Sequence, residues 1–116
     1  MLKLKGHKQG QTVALDLGGG ASIMLSLCNG DGYTFSDVLD AGDVGKVLGV
    51  LNRYTESCTV CQGDLDVLWS NETLHLVWSS HGVGPQVILE TTDVFVFEEA
   101  LKSYCRMLMR PEEDAP

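Results

Sequence analysis

The chain repeats its own order of elements at a spacing of about 50 residues, and a repeat of this kind must be recognised before a fold is assigned. Set against itself at that offset, Leu15 falls on Leu65, Asp16 on Asp66, Gly32 on Gly82 and Leu39 on Leu89. Asp43 and Val44 fall on Asp93 and Val94, Leu51 on Leu101, and Tyr54 on Tyr104. Both halves read as short strands followed by a capped helix ending in Tyr. The register is imperfect, because Leu25 lands on His75 and Ser26 on Leu76. Such a slip by one residue exchanges the faces of a strand, and hairpin turns of different length can absorb it.

Alternation of apolar and polar residues marks the strands. Leu2–Lys5 and Ser57–Val60 are short candidates. Thr12–Leu17 turns Val13, Leu15 and Leu17 to one side, and Ala21–Cys28 does the same with Ile23, Leu25 and Leu27. Gly18–Gly20 and Asn29–Gly32 supply turns between them. Tyr33–Leu39 is a weaker strand. In the second half, Gly63–Ser70, Thr73–Ser79 and Gln86–Thr91 alternate, with turns at Ser70–Glu72 and Gly82–Pro85. Asp43 and Asp93 are expected N-caps. Val44, Val47, Leu48, Leu51 and Tyr54 recur at helical spacing, as do Val94, Phe97, Leu101, Tyr104 and Leu108. Gly45 and Gly49 weaken the first helix unless they allow close packing on a sheet. A rival reading makes Asp93–Phe97 a strand end, since Val94 and Val96 alternate. Pro111 stops the second helix. The expectation is an α+β domain over residues 1–110, with tandem ββββα repeats at about 11–54 and 61–104 and an antiparallel sheet packed by a helix in each. An acidic tail, 111–116, is expected to be disordered.

The chain has 116 residues and a formal charge of −8. That length can bury a core without staples. Its basic residues sit at the ends, as Lys3, Lys5 and Lys8 and then Lys102, Arg106 and Arg110. Between residues 11 and 101, only Lys46 and Arg53 oppose the acids. An acidic middle repels phosphate backbones, which disfavours general nucleic-acid binding. The sequence holds no run of about 18 apolar residues, so no membrane span is expected. Met1–Gln9 lacks the apolar stretch of a secretory signal, so a cytoplasmic protein is expected.

A tandem ββββα unit resembles the Whirly and PUR-alpha group of single-stranded nucleic-acid binders. The features that carry the resemblance are the strand and turn order around Gly18–Gly20 and Asn29–Gly32, the helix from Asp43, and its echo from Asp93. The resemblance implies binding of single-stranded DNA or RNA through aromatic and basic residues on a sheet face. Tyr33, Trp69 and Trp78 are the aromatic candidates, and Lys3, Lys5, Lys8, Arg106 and Arg110 the basic ones.

Five local patterns carry chemistry in other proteins. Cys58-Thr59-Val60-Cys61 has the spacing of half a zinc site or of a redox pair. The further ligands a structural zinc needs are scattered, at Cys28, Cys105, His75 and His81. Ala14–Gly20 resembles the first phosphate loop of actin-like ATPases, a fold requiring two domains, and reads better as a glycine turn. Asn29–Gly32 lacks the remaining carboxylates of a calcium loop. His75 and His81 flank a hairpin within reach of Asp64 or Asp66, and read as exposed turn residues. Asn71-Glu72-Thr73 is a glycosylation sequon, without effect in a cytoplasmic protein.

These readings favour a small acidic, non-catalytic binding or regulatory protein acting through protein–protein contact. A basic protein partner and a homodimer are expected, with no enzyme activity, cofactor, metal or membrane. The Met107–Met109 end of the last helix could supply a dimer contact. A sharper form is nucleic-acid mimicry, an acidic face occupying a basic groove as small phage-encoded inhibitors of host defence do. The alternatives are a Whirly/PUR-like single-stranded DNA or RNA binder and, remotely, a zinc or redox protein using Cys58 and Cys61.

Overall fold

The computed structural model describes residues 2–17, 23–30, 34–78 and 86–108. The turns at Gly18–Gly20, Asp31–Gly32 and Gly82–Pro85 lie outside the described residues, as do Tyr33, His81, Met109, Arg110, Pro111 and the acidic tail. Within them the chain is α+β. Strands β1 (Leu2–Lys5), β2 (Gln11–Leu17), β3 (Ile23–Asn29) and β4 (Thr34–Leu39) form one antiparallel sheet in that order. Helix α1 (Ala41–Leu51) follows. Strands β5 (Ser57–Val60), β6 (Leu65–Ser70), β7 (Thr73–Trp78) and β8 (Gln86–Leu89) form a second such sheet, followed by α2 (Thr91–Leu108). The sequence repeat is therefore a structural one.

The strand register shows how the slip is absorbed. Leu15 pairs with Leu25 across the first hairpin, and Val67 pairs with Leu76 across the second. All four are buried, so Leu25 answers to Leu76 and not to His75. The β6–β7 turn is the tight pair Asn71 and Glu72, both left-handed (φ 52° and 69°) as a two-residue hairpin requires. By the strands β4 and β8 the halves are back in step, with Leu39 answering to Leu89.

The inner faces of both sheets and one stripe of each helix share a core. Leu25, Leu27, Leu39, Val44 and Val47 come from the first half, and Leu65, Leu76, Leu89, Phe97 and Leu101 from the second. Each helix also crosses to the other half: α1 packs on β5 and β6, α2 on β1 as well as β7, and the helices pack on each other. The strand-linking loops cross too. His7 N–H donates to Ile88 O (2.7 Å), and Cys61, in the β5–β6 loop, lies with its Sγ 4.0 Å from Val38 O on β4.

Gln11 completes the first crossing. It is buried, and its Oε1 accepts from Ile88 N–H (3.2 Å) while its Nε2 donates to Gln86 O (3.1 Å). The side-chain amide thus pairs with the free edge of β8 as a neighbouring strand would. Gly6 leaves room for it, since a Cβ there would stand 2.5 Å from both Gln11 Cβ and Oε1.

The helix boundaries correct the sequence reading. The N-cap of α1 is Asp40, whose Oδ1 accepts from Asp43 N–H (2.8 Å), so Asp43 lies inside the first turn. Helix α2 starts at Thr91, and Val94 N–H already bonds Glu90 O, so Asp93 is a first-turn residue and Asp93–Phe97 is not a strand end. A carboxylate inside the first turn favours the helix dipole without being the cap. Helix α1 ends at Leu51, short of Tyr54. Gly45 packs against nothing, and a Cβ on Gly49 would meet only Thr55 Oγ1 at 3.8 Å, so neither glycine serves close packing.

Candidate functional site

The C-terminus of α1 and the β6–β7 hairpin build a cleft of about 490 Å³ lined by Arg53, Thr55, Glu56, Trp69, Ser70, Asn71 and Glu72. Trp69 comes from the inner face of β6, at its open end. Its indole N–H donates to Val50 O (2.6 Å), a carbonyl of the last helical turn that also accepts from Arg53 N–H (3.0 Å). Asn52 closes α1 by donating both its backbone N–H (2.9 Å) and its side-chain amide (2.8 Å) to Leu48 O. Arg53 then turns left-handed (φ 64°), and Tyr54 N–H donates back to Gly49 O (2.9 Å). This turn lays the Arg53 guanidinium over the indole, with Cζ 3.8 Å from the ring centroid. It also throws Tyr54 outward, where it is 85% exposed. Tyr104, its partner in the sequence repeat, is buried in the core. The two halves therefore differ at this corner.

Two carboxylates line the cleft. Among the described residues, neither Glu56 nor Glu72 has a cation within ion-pairing distance, and Arg53 is in no ion pair. Glu72 also lines an adjoining cleft of about 360 Å³, together with Thr73, Glu90, Thr91 and Thr92. Glu90 in turn accepts from His7 Nδ1 (2.6 Å), both side chains being more than half exposed. Thr91 and Thr92 share a helix face with Phe95 and Val96 one turn on, and Phe95 is 64% exposed.

The remaining described candidate residues lie on other elements. Lys3 and Lys5 project from the outer face of the first sheet. The register there gives two rows, Lys3–Ala14–Ser26–Ser36 and Lys5–Thr12–Cys28–Thr34. Ser26 and Ser36 share a hydrogen bond of 2.9 Å. Met24 and Val38 sit opposite each other on the same face, both exposed. Lys8 is exposed in the β1–β2 loop, and Arg106 is exposed on α2, donating to Ser103 Oγ (3.1 Å). Trp78 belongs to the inner face of β7 and packs on Phe35 of β4, the ring centroids 4.7 Å apart. Trp69 and Trp78 thus lie on inner faces, while Lys3 and Lys5 lie on an outer one. The single platform of aromatic and basic residues is not assembled from these four.

His75 sits within β7 and is half-buried, not in a turn. Thr73 Oγ1 donates to Ser70 O (2.6 Å), so it accepts from His75 Nε2 (3.1 Å), and Gln86 Nε2 donates to His75 Nδ1 (2.9 Å). Asp66 instead accepts from Thr59 Oγ1 (2.9 Å), so His75 and Asp66 are each bonded to other partners. Burial pushes the Cys58 thiol up to about 11 and the Cys61 thiol up to about 12, and nearby acids, Asp37 and Asp43 for Cys61, add to the rise. Redox and nucleophilic cysteines need the opposite shift. Among the described residues no three metal-ligating side chains cluster. No helix among them is long and apolar enough to cross a membrane.

Sequence reasoning singled out Trp69 but missed Arg53, Tyr54, Glu56 and Glu72. The one signal for the first three is the polar run Asn52-Arg53-Tyr54-Thr55-Glu56 after Leu51, and Glu72 has none beyond its place in a turn. No known family model matches the chain, and no curated protein is found similar to it.

Proposed function

We propose that the protein is a small, non-catalytic binding module that engages a protein partner through the corner formed by Arg53, Tyr54 and Trp69. The observation that carries this reading is Tyr54, 85% exposed beside a cleft floored by a fixed Trp69. Tyr and Trp are the side chains that most often anchor protein interfaces, because they bury much area for little lost conformational freedom. Here the indole is already fixed by its bond to Val50 and the stacked Arg53, so little ordering is left to be done on binding. The acidic surplus favours a basic partner and salt-sensitive association. The same reading accommodates nucleic-acid mimicry and a homodimer in the cytoplasm, neither of which the corner requires. The test is capture of partners on the tagged protein: Tyr54→Ala should release what the wild type holds, and Lys3→Ala/Lys5→Ala should not. Capture insensitive to Tyr54 sinks the reading.

A second reading has one observation in its favour. Lys3 and Lys5 stand on an open sheet face with Thr12, Ser26, Thr34 and Ser36, a surface of the kind that tracks a sugar–phosphate backbone. Anisotropy of labelled single-stranded DNA and RNA at low salt checks it. Saturable binding that weakens in Lys3→Glu/Lys5→Glu would establish it, and the protein-binding reading expects no saturable binding at all.

A further inference from the structure

Resting on the protein-binding reading, we propose that the corner accepts an extended, positively charged peptide segment of the partner, with a cationic side chain seated between Glu56 and Glu72. Three observations converge on that occupant. The cleft carries two carboxylates, neither of them ion-paired among the described residues, against the single cation of Arg53. Its Trp69 floor already holds a guanidinium, that of Arg53, at 3.8 Å, which shows the chemistry the indole face accepts. The cleft also shares Glu72 with the second cleft at the start of α2. There the hydroxyls of Thr91 and Thr92 offer donors to main-chain carbonyls. The positive end of the helix dipole disfavours a second cation at that end. The charge of the segment therefore belongs at Glu56 and Glu72, its main chain at the threonines, and an apolar residue beyond them on exposed Phe95.

Arg53 sharpens the prediction. It repels an incoming cation and covers the indole face, so its removal should help such a ligand and hinder an anionic one. The probe is a labelled peptide of alternating Lys and Ser, with alternating Glu and Ser as the control, read by anisotropy at low salt on the full chain. The Lys–Ser peptide should bind at one saturable site. Glu56→Gln/Glu72→Gln should weaken it about tenfold, the sum of two modest charge contacts. Asp16→Asn/Asp66→Asn changes net charge equally on the outer sheet faces and should leave binding within about twofold. Arg53→Ala should tighten it. No binding, equal losses in the two double variants, or preference for the Glu–Ser peptide would overturn the proposal. Cross-linking from position 54 separates this failure from failure of the parent reading: a cross-linked partner segment that is not basic overturns only the cationic peptide, whereas a corner that cross-links no protein overturns both.

Discussion

Gln11 shows how much one side chain contributes to joining the halves. Its amide meets both the N–H of Ile88 and the carbonyl of Gln86, so Gln11→Ala leaves two backbone groups of β8 unpaired. The expected cost is about 2 kcal/mol or more, measured by urea unfolding, whereas loss of a solvent-facing Gln would cost next to nothing. The sequence does not reveal this role, because a polar residue at the start of an alternating strand reads as solvent-facing; its partners are distant in the chain. Cys58 and Cys61 give a second prediction at this scale. Their pKa values are raised in the folded protein from 9.0 to about 11 and about 12. The unfolded chain therefore loses these protons first as pH rises. The stability they contribute is complete below pH 9 and is lost as pH rises from there through about 11 to 12. Thermal melts should show an alkaline fall over that window, flattened in Cys58→Ser/Cys61→Ser; an equal fall in the variant would contradict the assignment. The CxxC spacing is legible in the sequence, but the burial that raises these pKa values is not.

Helix α1 is the element whose sequence and structure disagree most usefully. Its apolar stripe predicts the buried face correctly, since Val44, Val47 and Leu51 are buried. The same periodicity carries on to Tyr54, but the chain leaves the helix after Leu51, because Asn52 and the left-handed Arg53 close it. A stop made by side-chain and main-chain bonds to Leu48 and Gly49, without Gly or Pro, gives no composition signal. That is why the candidate site was only partly legible: Trp69 stands out in the sequence, whereas the corner that exposes Tyr54 depends on where the helix ends. The glycines of α1 yield a direct prediction. Gly45 is exposed in mid-helix with open space around its Cα, so Gly45→Ala should stabilise by about 0.5–1 kcal/mol. That corresponds to a rise in melting temperature of a few °C, about 4 °C at most. Gly6→Ala should do the reverse, because its Cβ would collide with Gln11 and with Val87 Cγ1 at 2.9 Å.

At the level of the whole molecule, the order of strands and helices is readable because alternation, turns and helical stripes repeat twice. What the sequence does not show is the exchange between the halves. Each helix packs on both sheets or on the opposite one, and the β1–β2 loop closes the edge of β8. Such a repeat is an intertwined pair, and neither half buries its apolar face alone. Residues 1–54 expressed by themselves should lack the dispersed amide spectrum of a folded domain, and a well-folded monomer would contradict the exchange. Within this paired frame, the loops that differ between halves set the surface apart, and the Tyr54–Trp69 corner is one such difference. The most direct test of that corner as the binding surface is site-specific photo-cross-linking in cells. A photoreactive residue in place of Tyr54 is compared with one in place of Ser36 on the open face of the first sheet. The account predicts protein adducts from position 54 and few from position 36. Adducts concentrated at position 36, or nucleic acid as the main product, would contradict it.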